Sequence, residues 1–154
     1  MLQIESTKLV LKSLGVTVNA VLLIGRILFS SIFLMSGMMH IAKLEAMAGY
    51  ATYKKVPLAK LSVIVGLMFF LGALALILGV FADLGALLIA IAVIPTAFLM
   101  HNFWTLEDET AKQTEMSIFM KDLALGGTAL ILFALVARGA DIGWALGHAA
   151  FHLK

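Results

Sequence analysis

The chain has 154 residues, of which 62% are hydrophobic and only 13% charged, with a formal net charge of +2 at pH 7. A soluble domain carries about 25% charged residues, so a chain with a mean hydropathy of +1.07 lacks the polar coat that water demands and points to a lipid bilayer. The mild, dispersed positive charge argues against a nucleic-acid partner, and the absence of cysteine excludes disulfides, thiol redox chemistry, iron–sulfur clusters and Cys-ligated zinc.

A membrane-crossing helix needs roughly 20 apolar residues, so residues 1–154 read as a single membrane domain with four spans and short connections. Residues 1–20 mix Glu5, Lys8 and Lys12 with Leu11 and Leu14, and read as a juxtamembrane segment. The first span covers about 21–41 and contains Arg26. A secretory signal is the rival reading, with Ala46-Met47-Ala48 as a cleavage site. The apolar stretch is longer than the roughly 7–15 residues of a signal core, and three more spans follow, so a retained span is expected.

Residues 42–59, with Lys43, Glu45, Tyr50, Tyr53, Lys54, Lys55 and Pro57, read as the longest loop. The second span covers about 60–81, and a tight turn at Asp83 leads into the third, about 84–103, where Pro95 removes one backbone donor. Residues 104–116 are acidic and polar, the fourth span covers about 117–137, and Arg138 ends it. The tail, 138–154, places Trp144, His148 and Phe151 on one face of an expected short interfacial helix. His148 and His152 also have the spacing of a helical metal pair, but no Cys or helical carboxylate accompanies them.

The expected fold is therefore all-α: an integral membrane, antiparallel four-helix bundle with both termini on the same side. Small residues at four-residue spacing (Ala82, Ala86 and Ala90; Ala75 and Gly79; Ala124 and Thr128) let helices approach closely, or let an Ala-rich face pair two copies as a homodimer. Basic residues divide almost evenly between the two sides, which leaves only a lean toward cytoplasmic termini in a bacterial inner membrane.

Ionisable groups within spans cost about 2.5–3.5 kcal/mol each, so their placement carries the functional reading. Folding the chain up and down brings His40, His101, Trp104, Lys121 and Asp122 to one end, beside the loop holding Tyr50 and Tyr53. In the functional reading His40 and His101 exchange protons near neutral pH. Lys121, Asp122, Trp104 and Tyr53 then bind or position a ligand with a polar head and an apolar body, for which a quinone is suited. In the ordinary reading Trp104 and Tyr53 are interfacial anchors, and Lys121 and Asp122 open a helix at the water boundary. Arg26, about one turn inside its span, reads as a structural ion pair with Asp83 or as a snorkelling side chain. A haem between His40 and His101 is the weaker cofactor reading, since only one such pair exists.

Several of these residues together resemble the DoxX family of small four-span membrane proteins. Arg26 opens the first span, followed by Phe33 and by Ser36-Gly37 with a basic residue three positions on; that residue is His40, where the family often has Lys. Tyr53 and Pro57, the stretch from Gly72 to Gly79, His101 with Trp104, and Lys121-Asp122-Leu123 also look like it, so the resemblance covers about 20–137. Many relatives carry an acidic residue just before the glycine-rich stretch, where this chain has Phe69-Phe70-Leu71. The resemblance implies a subunit of a membrane oxidoreductase system, binding a quinone or lipid-like ligand, as in relatives linked to thiosulfate:quinone oxidoreductase. The alternative it implies is a non-enzymatic accessory or assembly factor for another membrane protein.

Overall fold

The computed structural model describes residues 2–56 and 62–153, and every regular element within them is helical. Five α-helices follow in order: α1 (Leu2–Ala42), α2 (Leu44–Tyr53), α3 (Ser62–Leu78), α4 (Ala82–Met100) and α5 (Glu109–Ala137). A single 3-10 turn, Phe103–Thr105, lies between α4 and α5. Three segments, Val10–Ala42, Ala82–Thr105 and Glu109–Ala137, are long and apolar enough to cross a membrane. The apolar α3 has 17 described residues, the low end of the roughly 17–25 that span a bilayer.

The helices pack in sequence, α1 on α3, α3 on α4 and α4 on α5. Small residues set each crossing. A Cβ added to Gly37 would lie 2.6 Å from the backbone nitrogen of Phe70, and one on Gly72 would lie 2.7 Å from the Gly85 carbonyl. A Cβ on Gly126 would lie 2.5 Å from Ile94. At these points side chains are absent so that backbones can approach. Between the crossings Phe33, Phe69, Leu76, Ile89 and Val93 fill the core. Ala82, Ala86 and Ala90 are buried as their spacing predicts. Ala124 and Thr128 are not: they face outward, and the small residues α5 buries are Gly126, Ala129 and Ala137.

Several sequence expectations are corrected. Helix α1 runs unbroken for 41 residues through the segment expected as juxtamembrane; no proline interrupts the stretch, and each added residue gains a hydrogen bond. The loop expected at 42–59 contains the ten-residue α2, built on Leu44, Ala46, Met47, Ala48 and Ala51, good helix formers apart from one glycine. Pro57, Lys60 and the expected start of the second span lie outside the described residues. Pro95 sits inside α4 without ending it. Much of the acidic stretch 104–116 is helical, because Asp108 caps α5 by accepting from the Ala111 amide at 2.7 Å.

The tail forms no interfacial helix. Residues 140–153 run as an irregular strap held by backbone bonds: Leu146 donates to Leu78 at 2.9 Å, Phe81 to His148 at 2.8 Å, and Leu153 to Ala137 at 2.8 Å. The strap closes the end of the bundle at the α3–α4 turn, where Gly79 adopts a positive φ of 68°. That conformation favours glycine, and a Cβ there would also lie 2.5 Å from Ala145 Cβ.

Candidate ligand-binding site

The other end of the bundle holds a cavity of about 500 Å³. It forms because α1 and α5, at the two ends of the packing series, do not close tightly on each other. Ile32, Phe33, Val65, Phe69, Val93, Leu99 and Leu125 supply an apolar wall, and α2 contributes Met47, Tyr50 and Ala51. Its polar groups include Ser36, His40, Thr96, His101 and Asp122. An apolar concavity with a few convergent polar groups is the usual form of a small-molecule site.

His40 is half-buried on the last turns of α1, its Nδ1 2.8 Å from the Ser36 carbonyl and its ring edge-on to Phe69 at 6.3 Å. It stands against Gly66, where an added Cβ would come within 2.3 Å of His40 Cβ. His101 lies just past the end of α4, its amide donating to the Ala97 carbonyl. Its ring is placed between two carboxylates of α5: Nδ1 is 2.7 Å from Glu115 Oε2, and Nε2 is 3.7 Å from Asp122 Oδ2. The second separation exceeds a direct hydrogen bond. The two groups make no direct hydrogen bond to each other, and both face the cavity.

Glu115 also meets Lys54, with Nζ 2.5 Å from Oε1. Lys54 follows α2 directly and lies over the Tyr50 ring, 5.8 Å from its centroid. Burial pushes the Lys54 ammonium down, but its bond and charge interactions with Glu115 and Tyr50 outweigh that and hold it above its ordinary value. A chain Lys54–Glu115–His101–Asp122 thus links the α2 end to the cavity wall. In the sequence Lys54 belongs to the expected loop 42–59 and Glu115 to the acidic, polar stretch 104–116. The available signal was that Glu115 precedes Asp122 by seven residues, two turns on one helix face.

The structure brings His40, His101 and Asp122 into one cavity. The remaining expected ligand-binding residues lie outside its wall. Lys121 is exposed, and Tyr53 is 79% exposed and stacked on Tyr50 at 6.5 Å. Trp104 is 52% exposed and packs edge-on against Phe103 and Phe119 at 5.2 and 5.7 Å, where it anchors the α4–α5 connection.

At the opposite end the expected Arg26–Asp83 ion pair does not form among the described residues. The tail takes both groups instead. Arg26 Nη2 donates to the Trp144 carbonyl, and the two Asp83 oxygens accept from the Ala150 and Phe151 amides at 2.7 and 2.6 Å. Arg26 is 6% and Asp83 0% exposed, so each needs a local partner, and a main-chain strap supplies donors and acceptors at once.

Comparison with curated proteins and with solved structures gives no match. The family model of DoxX matches residues 21–102. That range runs from the apolar part of α1 past His101 and stops before Trp104, Glu115, Lys121 and Asp122. It spans more than half of the sequence and includes both cavity histidines, and on that match the chain belongs to the DoxX family of membrane proteins.

Proposed function

We propose that this chain is a four-span membrane domain that binds a quinone or a similar amphipathic molecule at its α2 end, as a subunit of a membrane oxidoreductase system. Helices α1, α3, α4 and α5 are the four spans, both termini lie on one side, and the setting is a bacterial inner membrane with cytoplasmic termini. The observation that carries the reading is the cavity, apolar on most of its wall and bearing His40, His101 and Asp122. A quinone head presents two carbonyl oxygens and its tail is apolar, which matches that division. Bound there, it would supply a carrier of electrons and protons. His101 and His40 would give protons to the head oxygens or take them up, and Asp122 would place a carboxylate beside the His101 ring on the cavity wall. The apolar wall would keep water from the tail.

The test is binding of a short-tailed benzoquinone to the purified protein in lipid nanodiscs. His101→Ala is expected to weaken binding about tenfold or more, since a hydrogen bond to a charged partner is worth roughly 1.5–3 kcal/mol. Unchanged affinity in that variant would remove His101 from the site.

A second reading, an accessory or assembly factor for another membrane protein, is favoured by α1. Its N-terminal half leaves Val10, Leu11, Leu14, Val16 and Val18 at least half exposed, apolar side chains open to lipid or to another protein. Co-purification of a membrane protein lost on Leu11→Glu/Leu14→Glu, with no quinone bound, would select this reading.

A further inference from the structure

We propose that Glu115 is the positioning residue of the cavity: one carboxylate sets the ring of His101 and, through Lys54, latches α2 against the space below it. The proposal rests on the ligand-binding reading above and adds to it how the site is organised and closed.

The two halves of the role follow from the two oxygens. Oε2 lies 2.7 Å from His101 Nδ1. An ionised carboxylate only accepts, so Nδ1 carries the hydrogen and, in the neutral ring, the lone pair sits on Nε2. Nε2 is the nitrogen on the Asp122 side, 3.7 Å from Oδ2. Glu115 therefore turns the proton-accepting atom of His101 toward Asp122, with which it lines the cavity. When a ligand hydroxyl gives its proton to Nε2, one O–H bond breaks and one N–H bond forms. The imidazolium that results lies between two carboxylates.

Oε1 takes Lys54 at 2.5 Å. Lys54 caps the C-terminal end of α2, the helix whose Met47, Tyr50 and Ala51 line the cavity. Both side chains are largely buried, which shields the pair from the screening that weakens surface ion pairs. Packing of α2 on α1 and α3 is slight beside that of the long helices on each other. The ion pair thus ties the end of α2 to α5, the helix that carries Asp122 on the cavity wall. The titratable groups facing Glu115 are Lys54 from the α2 side, itself beside Tyr50, and His101 from the end of α4. Asp122 and Lys121 follow on α5, and His40 looks in from α1.

The chain has no cysteine, so Ala51→Cys places a unique thiol on the cavity side of α2, at a position 6% exposed. Its rate of reaction with a water-soluble maleimide, in nanodiscs, reports opening of α2. In that background Glu115→Gln and Lys54→Met are expected to label roughly tenfold faster, the scale of one charge-assisted hydrogen bond, and Lys54→Arg to restore slow labelling. Nitrogen NMR of the histidine rings separates the second role, because Glu115→Gln shifts the tautomer signal of His101 while Lys54→Met preserves it. Benzoquinone affinity from about pH 5 to 8, where histidine titrates, then changes shape in Glu115→Gln only.

Equal labelling in the parent, Glu115→Gln and Lys54→Met overturns the latch, and an unchanged His101 signal in Glu115→Gln overturns the positioning role. Lys54→Met reads the latch from the other partner should Glu115→Gln lose helicity. Both signals are recorded without quinone. Failure of the parent to bind benzoquinone while both signals change therefore overturns the quinone reading alone and supports the role of Glu115.

Discussion

Lys54 joins two parts of the molecule through a proton that the folded protein holds more tightly than the unfolded chain does. Its value stands above the ordinary 10.5 because the bond and charge from Glu115 outweigh burial. The sign of the linkage follows: stability contributed by Lys54 is fully present below about pH 10.5 and is lost as pH rises through the higher folded value. Thermal unfolding in detergent from about pH 9 to 11.5, around the lysine range, should show an alkaline decline that Lys54→Met flattens. Equal slopes in the two proteins would assign the decline to other groups. At this scale the sequence was legible where polarity was anomalous. His40, His101 and Asp122 stood out as costly residues near the ends of apolar spans, and the structure joins them in one cavity. Glu115 and Lys54 did not stand out, because each sits among other charges where solvation is the ordinary explanation. Only the fold, by returning the start of α5 beside the end of α2, makes them a pair.

The helices differ in what starts and stops them. Helix α5 begins in a polar stretch, and its start depends on Asp108, whose carboxylate accepts from the Ala111 amide at 2.7 Å. Replacing Asp108 by Ala should cost about 1 kcal/mol and fray the first turns of α5, which also carry Glu115. Hydrogen exchange of the amides from Glu109 to Thr114 measures this, and unchanged protection there would show that the cap is dispensable. The apolar stretches of α1, α4 and α5 were legible from hydropathy alone, since length and apolarity are what a bilayer demands. Two elements were not. Helix α2 is short, contains Glu45 and a glycine and is flanked by Lys43, Lys54 and Lys55, so the stretch reads as a loop until Met47 and Ala51 find an apolar space to face. The tail has helical spacing at Trp144, His148 and Phe151, but its backbone is drawn off by the α3–α4 turn and by Asp83, which offer partners that an internal helix ladder would forgo.

The whole molecule has unlike ends. The end holding α2 leaves a cavity with polar groups lining it, and the opposite end is covered by the strap over Arg26 and Asp83. Because the strap is bonded chiefly through its main chain, its hold depends on Asp83 more than on its own side chains. Asp83→Ala leaves the Ala150 and Phe151 amides without their acceptor, at roughly 1–3 kcal/mol for a buried unsatisfied group, and Asp83→Asn, which keeps one carbonyl oxygen, should lose less. Limited proteolysis should cut the tail of Asp83→Ala first while the helical core persists. Simultaneous loss of tail and core would instead show that the strap is part of one cooperative unit. The strap also sets an order of events during synthesis. Asp83 and Ala150 are 67 positions apart, and a ribosome adding about 5–20 residues per second needs roughly 3–13 s to cover that distance. For that interval the newborn chain carries a carboxylate and a guanidinium without their mature partners, so the half-made protein has its most costly groups unpaired just as it enters the bilayer. That window is when a chaperone or a quality-control protease would find it most distinct from the finished form.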